Sequence, residues 1–169
     1  MPELRSLLAI ALTAVLAGCL SQPAPVAAFR PKSAPIWSAA AFDAARIEGR
    51  WQQVAAFSAG ATPGCAPGGV EVRRGAAGLE LAARLCLDGR EVTAAGPLRM
   101  AGPGRMAVPG MADWWVIWVD SGYRTLAIAT PDGSFGFVLD RGRIGADRMA
   151  AAAEIFDFNG YSKARLHGF

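Results

Sequence analysis

After Gly49 the chain alternates between short apolar stretches and residues that favour turns. The apolar stretches are about five to nine residues long and are separated by Gly, Pro or Asp, a pattern typical of antiparallel strands that follow one another along the chain. This pattern predicts eight strands: Trp51–Phe57, Gly69–Arg74, Leu79–Leu87, Arg90–Met100, Arg105–Val108, Trp114–Asp120, Arg124–Thr130 and Phe135–Asp140.

The residues between these strands suit tight hairpins. Asp88-Gly89 and Asp132-Gly133 are strong hairpin signals, because glycine accepts the positive φ that a tight turn requires. The chain has no spacing typical of β-α-β units, so we predict an antiparallel sheet.

Two helical segments flank the strands. Ser38–Arg46 is predicted to form a short helical turn with Ser38 as its cap, and Asp147–Phe158 is the one stretch with the period of an α-helix.

Closure of a sheet into a barrel removes both exposed edges, and eight strands enclose a space just wide enough for one small ligand. We therefore predict an all-β fold, an eight-stranded antiparallel up-and-down β-barrel with the C-terminal α-helix packed outside.

The first residues have the features of an export signal. Arg5 supplies a positive charge, Leu7–Ala17 is apolar, and Leu16-Ala17-Gly18-Cys19 follows. This arrangement resembles a bacterial lipoprotein signal, which implies cleavage before Cys19, acylation of that cysteine with groups such as palmitate, and attachment to a membrane. The alternatives are a transmembrane anchor, which needs roughly 20 apolar residues, and an ordinary secretory signal with a stray cysteine. Leu20 in place of Asp implies sorting to the outer membrane, with the domain facing the periplasm.

These features divide the chain into three segments. Residues 1–18 are the signal peptide, residues 19–36 are a Pro/Ala-rich tether, and residues 37–169 form one barrel domain. The chain carries 17 Lys and Arg against 14 Asp and Glu without a block of like charge, so nucleic-acid binding is unsupported.

Three short motifs lie at strand boundaries. Gly49-Arg50-Trp51 opens the first strand, Asp120-Ser121-Gly122-Tyr123-Arg124 lies between the sixth and seventh strands, and Arg141 follows the eighth. In these residues the sequence resembles the lipocalins, which carry G-x-W, a T-D-Y-like motif and a single arginine at the same places. Residues 115–141, and Tyr161-Ser162-Lys163 after the helix, are similar to the bacterial lipocalins, which are outer-membrane lipoproteins. The resemblance covers roughly residues 37–165.

The motif residues are expected to close one end of the barrel. Trp51 would plug the base with its large apolar surface. Arg141 would lie over the indole ring, a cation–π contact worth roughly 1–2 kcal/mol, and would hydrogen-bond carbonyl groups of the Ser38–Arg46 turn. We therefore assign structural roles, and no ligand contact, to Gly49, Trp51, Asp120, Tyr123, Arg124 and Arg141.

Cys65 and Cys86 remain as a pair once Cys19 is assigned to the lipid. They are equidistant from the Gly75–Gly78 turn, so in an antiparallel hairpin their side chains would face each other across the strands. An oxidising compartment permits a disulfide. The alternatives are two free buried thiols and a redox-active pair, although Cys-x-x-Cys spacing and an adjacent base are absent. We predict a structural disulfide near the open rim.

Alternation along each strand predicts which side chains line the barrel. If Trp51 points inward, every second residue of its strand does so too, and small residues on the seventh strand facing aromatic residues on the eighth would leave an apolar cavity. The alternative is that these side chains simply fill the barrel. Residues 114–120 are apolar on both faces, so their inward face is not determined. The predicted ligand-binding residues are Gln53, Ala55, Phe57, Thr125, Ala127, Phe135 and Phe137.

Catalysis has little support in the sequence. His167, the only histidine, lies close to the C-terminus, and no nucleophile motif, paired carboxylate site or His/Cys metal cluster is present. We expect neither an enzyme nor a cofactor or metal. The resemblance implies instead a lipid-anchored protein that binds fatty acids or lysophospholipids for storage or transport. The alternative is a filled barrel that acts as an interaction or structural protein of the cell envelope.

Overall fold

The structure is a computed structural model that describes residues 28–169. The predicted signal peptide and the first half of the predicted tether, residues 19–27 with Cys19, therefore lie outside the described residues. The described part contains one α-helix, α1 (Ala146–Phe158), and two 3-10 turns, Ala44–Arg46 and Lys163–Arg165. Its strands are β1 (Gly49–Phe57), β2 (Gly69–Gly75), β3 (Gly78–Leu87), β4 (Arg90–Pro97), β5 (Arg99–Gly102), β6 (Arg105–Ala107), β7 (Trp114–Val119), β8 (Thr125–Ala129), β9 (Gly136–Asp140) and β10 (Leu166–Gly168).

The strands form one antiparallel sheet that closes almost completely into a barrel. Their order is β4-β3-β2-β1-β9-β8-β7-β6-β5, and β10 pairs with β1. The two ends of this path, β4 and β5, are joined through Leu98, whose N–H donates to the Leu79 carbonyl at 2.9 Å. The chain itself therefore connects the two edges, and the predicted all-β barrel with a C-terminal helix outside is confirmed.

The number of strands differs from the prediction. The predicted strand Arg90–Met100 is divided at Leu98 into β4, which pairs with β3, and β5, which pairs with β6. The short β10 adds a further pairing, with Ala55 opposite Gly168 and Phe57 opposite Leu166. The barrel thus has ten strands where eight were expected.

The hairpin turns carry the positive φ values that the sequence predicts. Asp88 and Gly89 have φ of 48° and 77°, and Gly133 has φ of 72°. The helical turn near the N-terminus is shorter than predicted and has a different cap. Asp43, not Ser38, accepts the Ala45 N–H at 2.9 Å, whereas the Ser38 hydroxyl donates to the Pro103 carbonyl at 2.8 Å.

The barrel has two distinct ends. The base is the end where β1 begins and β9 finishes, beside Trp51 and Arg141. The opposite end, which we call the mouth, gathers four connections between strands, residues 58–68, 88–89, 108–113 and 130–135.

Residues 28–46, which we call the strap, run along the barrel from the mouth to the base. The Phe29 N–H donates to the Gly133 carbonyl at the mouth at 2.8 Å, and the Trp37 N–H donates to Asn159 Oδ1 at 2.9 Å. Nearer the base, the Asp43 N–H donates to the Tyr123 hydroxyl at 2.7 Å. Residues 28–36 fall within the segment that the sequence assigns to the tether, yet they pack on the barrel.

Arg30 holds the strap in place. Its side chain is buried, and its guanidinium donates to backbone carbonyl oxygens of Asn159 (2.9 Å), Pro35 (3.1 Å), Pro131 and Ala34. A buried guanidinium needs such acceptors because it always carries charge.

Apolar side chains form two separate clusters, one inside the barrel and one outside it. The outer cluster lies where α1 packs against β7 and β8, with Ala152 and Phe156 as the buried helix residues. The inner cluster fills the barrel and contains Trp51, Trp114 and Phe137. A helix on one outer face explains why β8 and β9 are buried on both sides.

Candidate functional site

The barrel interior is the candidate ligand-binding site, and its lining is apolar. Side chains from every strand of β1 to β9 except β5 converge there, the strap adds the partly buried Phe42, and the remaining cavity is lined by apolar and aromatic side chains. The buried members are Ile47, Trp51, Ala56, Val70, Val72, Leu81, Ala83, Leu85, Leu87, Ala94, Leu98, Met106, Val108, Trp114, Val116, Tyr123, Leu126, Ile128, Phe135, Phe137 and Leu139.

A β-bulge in β1 changes which residues of this strand face inward. The register against β9 shifts between Gln53 and Ala55, so Ala56 joins Trp51 in the inner cluster. Ala55 and Phe57 point outward instead, and the Phe57 ring lies 4.8 Å from that of Phe156 on α1. The predicted inward orientation of Ala55 and Phe57 is therefore wrong, because a one-residue shift exchanges the two faces of a strand.

The small residues of β8 also face outward. Ala127 and Ala129 belong to the outer cluster under α1. Thr125 is on the same face, and its hydroxyl donates to Asp140 Oδ2 at 2.7 Å. The predicted inward orientation of Thr125 and Ala127 is wrong. Small side chains let the helix approach the sheet closely, whereas the large side chains of β8 point into the barrel.

The strand whose faces could not be assigned from sequence also contains a bulge. The register of β7 against β8 shifts between Val116 and Trp118. Trp114 and Val116 therefore belong to the inner cluster, whereas Ile117 and Trp118 pack with the outer one. Trp114 is a large interior residue that could not be predicted from the sequence, because two apolar faces give no alternation to follow.

Phe135 and Phe137 lie inside the barrel, as the alternation predicts. The Phe137 ring packs edge-on against Trp114 with centroids 5.0 Å apart, and the two phenyl rings are 6.1 Å apart. Their contact with a ligand stays a prediction.

Gln53 is buried, but its amide is held by the backbone. Its Oε1 accepts the N–H groups of Cys86 (2.8 Å) and Gly68 (3.2 Å), and its Nε2 donates to the Cys86 carbonyl (2.8 Å). These bonds connect β1 to β3 where β2 begins. A ligand contact for Gln53 remains a prediction, while the described bonds give it a structural role.

The interior is almost completely filled. The cavity that remains has a volume of about 10 Å³, which is close to the smallest space that holds one water molecule. The cavity was expected because small side chains of β8 would face the aromatic residues of β9 inside the barrel. The β8 side chains that point inward are instead the larger Leu126 and Ile128. The residues around the cavity are Ile47, Trp51, Val70, Val72, Leu81, Leu98, Met106, Trp114, Leu126, Ile128 and Leu139.

The base of the barrel is closed as the motif residues predict. The Arg141 guanidinium lies 4.1 Å from the centroid of the Trp51 ring, and it donates to the Tyr123 and Arg46 carbonyl oxygens at 2.9 and 2.8 Å. The Trp51 indole N–H donates to the Ile47 carbonyl at 2.8 Å. Gly49 has φ of 112°, and a Cβ there would lie 2.9 Å from Arg141 Nη1, so this position requires glycine.

The second motif folds around the Asp120 carboxylate. Asp120 Oδ1 accepts the N–H groups of Arg124 (2.6 Å) and Thr125 (2.7 Å). Burial alone would raise the pKa of this carboxyl, but the hydrogen bonds from Thr125 and Arg124 outweigh it and lower the pKa below the ordinary value. Tyr123 adopts φ of 52°, and the Arg46 guanidinium lies 3.8 Å from the centroid of its ring.

The predicted disulfide joins Cys65 and Cys86, with a Cα–Cα distance of 5.6 Å. Its position differs from the directly cross-strand pairing that the sequence suggested. Strand β2 begins at Gly69, which pairs with Arg84. Cys65 therefore lies in the mouth connection before β2. Cys86 pairs with Glu91 of β4 instead. The disulfide therefore ties the connection 58–68 to the barrel wall.

Residues 28–169 contain neither a membrane-spanning helix nor a metal site. Within this part of the chain, no helix has the length and apolar character to cross a membrane, and no group of three or more His, Cys, Asp or Glu side chains could hold a metal ion. His167 lies in β10, where it pairs with Ala56.

Comparison with known proteins identifies the fold as that of the lipocalins. The major allergen Per a 4 from cockroaches matches with a TM-score of 0.58 at 11% identity, over 82% of this chain and 94% of that chain. Insecticyanin from the tobacco hornworm Manduca sexta matches with a TM-score of 0.59 at 12% identity, over 83% and 85%. Lobster apocrustacyanin A1 matches with a TM-score of 0.50 at 15% identity, over 75% and 78%. These neighbours are lipocalins, and the similarity is one of fold. No protein-family model and no curated protein sequence matches the chain.

Proposed function

We propose that this protein is a lipid-anchored lipocalin that binds a hydrophobic small molecule in its barrel, for storage or transport at the cell envelope. Fatty acids and lysophospholipids are the proposed ligand class. The single observation that carries the proposal is the apolar lining of a barrel with a closed base. Such a lining favours an acyl chain, because transfer of apolar surface out of water supplies the binding free energy.

Binding in this proposal requires the interior to expand. Ligand pockets usually have volumes of roughly 300–1,000 Å³, whereas the described cavity has about 10 Å³. The strand pairing is shortest around β5 and β6, where β6 pairs with β7 at only two positions, Arg105 with Trp115 and Met106 with Trp114. Met106 is unbranched and flexible, so it can move aside at low cost. We propose that an acyl chain enters from the mouth and displaces side chains along this part of the wall.

The proposed anchor would hold the mouth close to the membrane. Lipidation at Cys19 leaves nine residue steps to Ala28, which span at most about 32 Å at ~3.5 Å for each residue. The described chain begins beside the mouth, where Phe29 contacts Gly133. In the proposed location at the outer membrane, facing the periplasm, the mouth would thus be within reach of membrane-derived ligands.

The lipidation part of the proposal has its own test. Cells that express the full chain are labelled with a palmitate analogue, beside cells that express Cys19→Ala. We expect label and outer-membrane fractionation only for the chain with Cys19. Equal labelling of both chains, or release of the unaltered chain into the soluble periplasm, would contradict the proposed anchor.

Ligand binding is tested on residues 20–169, exported behind a cleavable leader so that the disulfide can form. This chain keeps every described contact, since all of them lie between residues 28 and 169. We expect saturable changes in tryptophan fluorescence on titration with lysophospholipids or fatty acids, and co-purifying lipid in native mass spectra. Trp114→Phe serves as a control, because loss of one of the two indoles that border the cavity, Trp51 and Trp114, should reduce the signal. The absence of both saturation and bound lipid would contradict the proposal.

A second function is favoured by the small size of the cavity. A filled barrel could act as an interaction or structural protein of the envelope, with its outer surface binding a partner. The same titration separates the two functions, because a rigid filled barrel gives no saturable change with any acyl compound. Hydrogen exchange of β5 and β6 adds an independent measurement, since a barrel that opens for a ligand should exchange faster there than in β8 and β9.

A further inference from the structure

Trp114 carries a buried hydrogen-bond donor that no described residue uses. The side chain is 1% exposed, and its Nε1 has no acceptor within residues 28–169. The indole N–H of Trp51, at the other end of the same cavity, donates to the Ile47 carbonyl at 2.8 Å. A buried donor without an acceptor destabilises the fold, and such groups are rare in folded proteins.

The side chain that carries this donor borders the candidate site. Trp114 is the first residue of β7 and lies toward the mouth, whereas Trp51 closes the base. Both side chains border the 10 Å³ cavity. The neighbours of Trp114 are apolar. Met106 is its pairing partner in β6, and Phe137 packs against its ring at 5.0 Å.

We infer that the Trp114 indole N–H is the polar contact for the ligand and donates to an uncharged oxygen acceptor in the middle of an otherwise apolar molecule. This inference rests on the proposed function and specifies its ligand chemistry. An acyl ester carbonyl has the required form. It presents one neutral acceptor, and the hydrocarbon on either side of it contacts the apolar lining.

The lining excludes a charged acceptor at this depth. All residues around the cavity are apolar or aromatic, and no cation among them could pair with a carboxylate. Burial of an unpaired carboxylate is far more costly than burial of a neutral carbonyl. Of the proposed ligands, a lysophospholipid would therefore keep its charged headgroup at the mouth and place its ester carbonyl beside Trp114, whereas an ionised fatty acid has no neutral oxygen to place there.

The test uses two probes of equal chain length, methyl dodecanoate and tetradecane, with residues 20–169 labelled with nitrogen-15. The indole N–H signals of Trp114 and Trp51 are followed by NMR, and Trp51 is the internal control because its N–H is already bonded to Ile47. We expect methyl dodecanoate to move the Trp114 N–H proton signal downfield, and tetradecane to leave it at the position of a free indole. The Trp51 signal should keep its hydrogen-bonded position with both probes.

Affinity provides a second measurement. Loss of one neutral hydrogen bond changes a dissociation constant by roughly 2-fold to 12-fold. In Trp114→Phe we expect the affinity for methyl dodecanoate to fall within this range, while the affinity for tetradecane stays equal or rises. The NMR comparison on the unaltered protein does not depend on how well this variant folds.

The possible failures are distinguishable. If both probes bind with the same Trp114 signal, the inference is wrong while ligand binding stands. The same conclusion follows if the Trp114 N–H shows magnetisation transfer only to a buried water when methyl dodecanoate is bound. If neither probe binds, both the inference and the proposed function are overturned.

Discussion

At the scale of single residues, the base of the barrel depends on charged side chains that bind backbone groups. Arg141 donates to two carbonyl oxygens, and the Asp120 carboxylate accepts two backbone N–H groups. Each of these bonds joins a charged group to a main-chain group, a class of hydrogen bond stronger than a neutral pair. Through Arg141 they connect the turn before β8 to the end of the strap at Arg46.

The lowered pKa of Asp120 predicts that part of the free energy of unfolding is lost in acid. Because the folded-state pKa lies below the ordinary value of 3.8, the ionised carboxylate stabilises the fold above pH 3.8, and this stabilisation is lost as the pH falls through the folded pKa. We expect Asp120→Asn to lower the free energy of unfolding by about 1–3 kcal/mol at pH 7. The difference from the unaltered protein should shrink below pH 3.8.

Urea denaturation between pH 7 and pH 2.5 measures this effect. Asp113→Asn is the matched control, because Asp113 is an exposed aspartate at the other end of β7 and should change stability little. A difference for Asp120→Asn that stays constant over the whole pH range would contradict the assignment.

Replacement of Arg141 tests the closure of the base. Arg141→Ala removes the contact with Trp51 and two hydrogen bonds, and we expect a loss of about 1–3 kcal/mol. Arg143→Ala is the control, since the Arg143 side chain is exposed and makes no hydrogen bond or ion pair among the described residues. Thermal denaturation of both variants measures the difference. Equal losses would mean that Arg141 contributes no more than a surface charge.

At the scale of elements, two β-bulges decide which residues face the interior and which face the helix. The bulge in β1 places Phe57 against Phe156 and Tyr161, with ring centroids 4.8 and 4.9 Å apart. The bulge in β7 turns Ile117 and Trp118 toward the same outer cluster. With strict alternation, some of these side chains would point into the barrel. The bulges place them on the outer face instead, where helix α1 covers them.

The outward orientation of Ala127 predicts the effect of a larger side chain there. Ala127→Leu should push α1 away from the sheet and lower the free energy of unfolding by about 1–3 kcal/mol, because added volume in a well-packed contact forces side chains or backbone to shift. Ala82→Leu, at an exposed outward position of β3, is the control and should change stability by less than about 0.5 kcal/mol. Faster hydrogen exchange in α1 would show where the strain acts. A variant of unchanged stability that has lost ligand binding would contradict the outward orientation.

At the scale of the whole molecule, the barrel is closed by segments outside the sheet as well as by the sheet itself. The strap crosses from the mouth to the base, and buried Arg30 binds carbonyl groups of the strap itself, of the β8–β9 connection and of the end of α1. The Cys65–Cys86 disulfide holds the longest mouth connection to β3. The mouth is thus restrained from two sides, and the part of the wall that we propose to yield to a ligand is the region around β5 and β6, where β6 pairs with β7 at two positions.

We expect the disulfide to contribute measurably to the free energy of unfolding. It links cysteines 21 residues apart, and the chain-entropy relation gives about 3 kcal/mol for a loop of this length. The double variant Cys65→Ser/Cys86→Ser should lose about this amount in guanidinium denaturation, with faster hydrogen exchange confined to residues 58–68. The unaltered protein under reducing conditions should behave in the same way. Unchanged stability in both experiments would contradict this contribution.

Much of the fold could be predicted from the sequence because its signals are local. The hairpin turns at Asp88-Gly89 and Gly133 depend on φ values that few residues adopt, and the strand limits follow from apolar runs bounded by such turns. The Trp51–Arg141 contact could be predicted from the family motif. The number of cysteines was enough to predict the disulfide pairing. Equal spacing from the turn did not specify the register of β2 against β3, so the position of Cys65 before β2 could not be predicted.

The sequence by itself thus determined an antiparallel barrel, its closed base and its outer helix, since each depends on turn chemistry, apolar periodicity or a short motif. Only the tertiary structure decided the interior. A bulge moves one residue out of register, and no local signal marks Val54 or Ile117 as the place. The bulge in β1 turns Ala55 and Phe57 to the helix, and β8 presents Ala127 to the helix while Leu126 and Ile128 fill the barrel beside Trp114. Which face of a strand is buried depends on what packs against it, and that is a property of the assembled molecule.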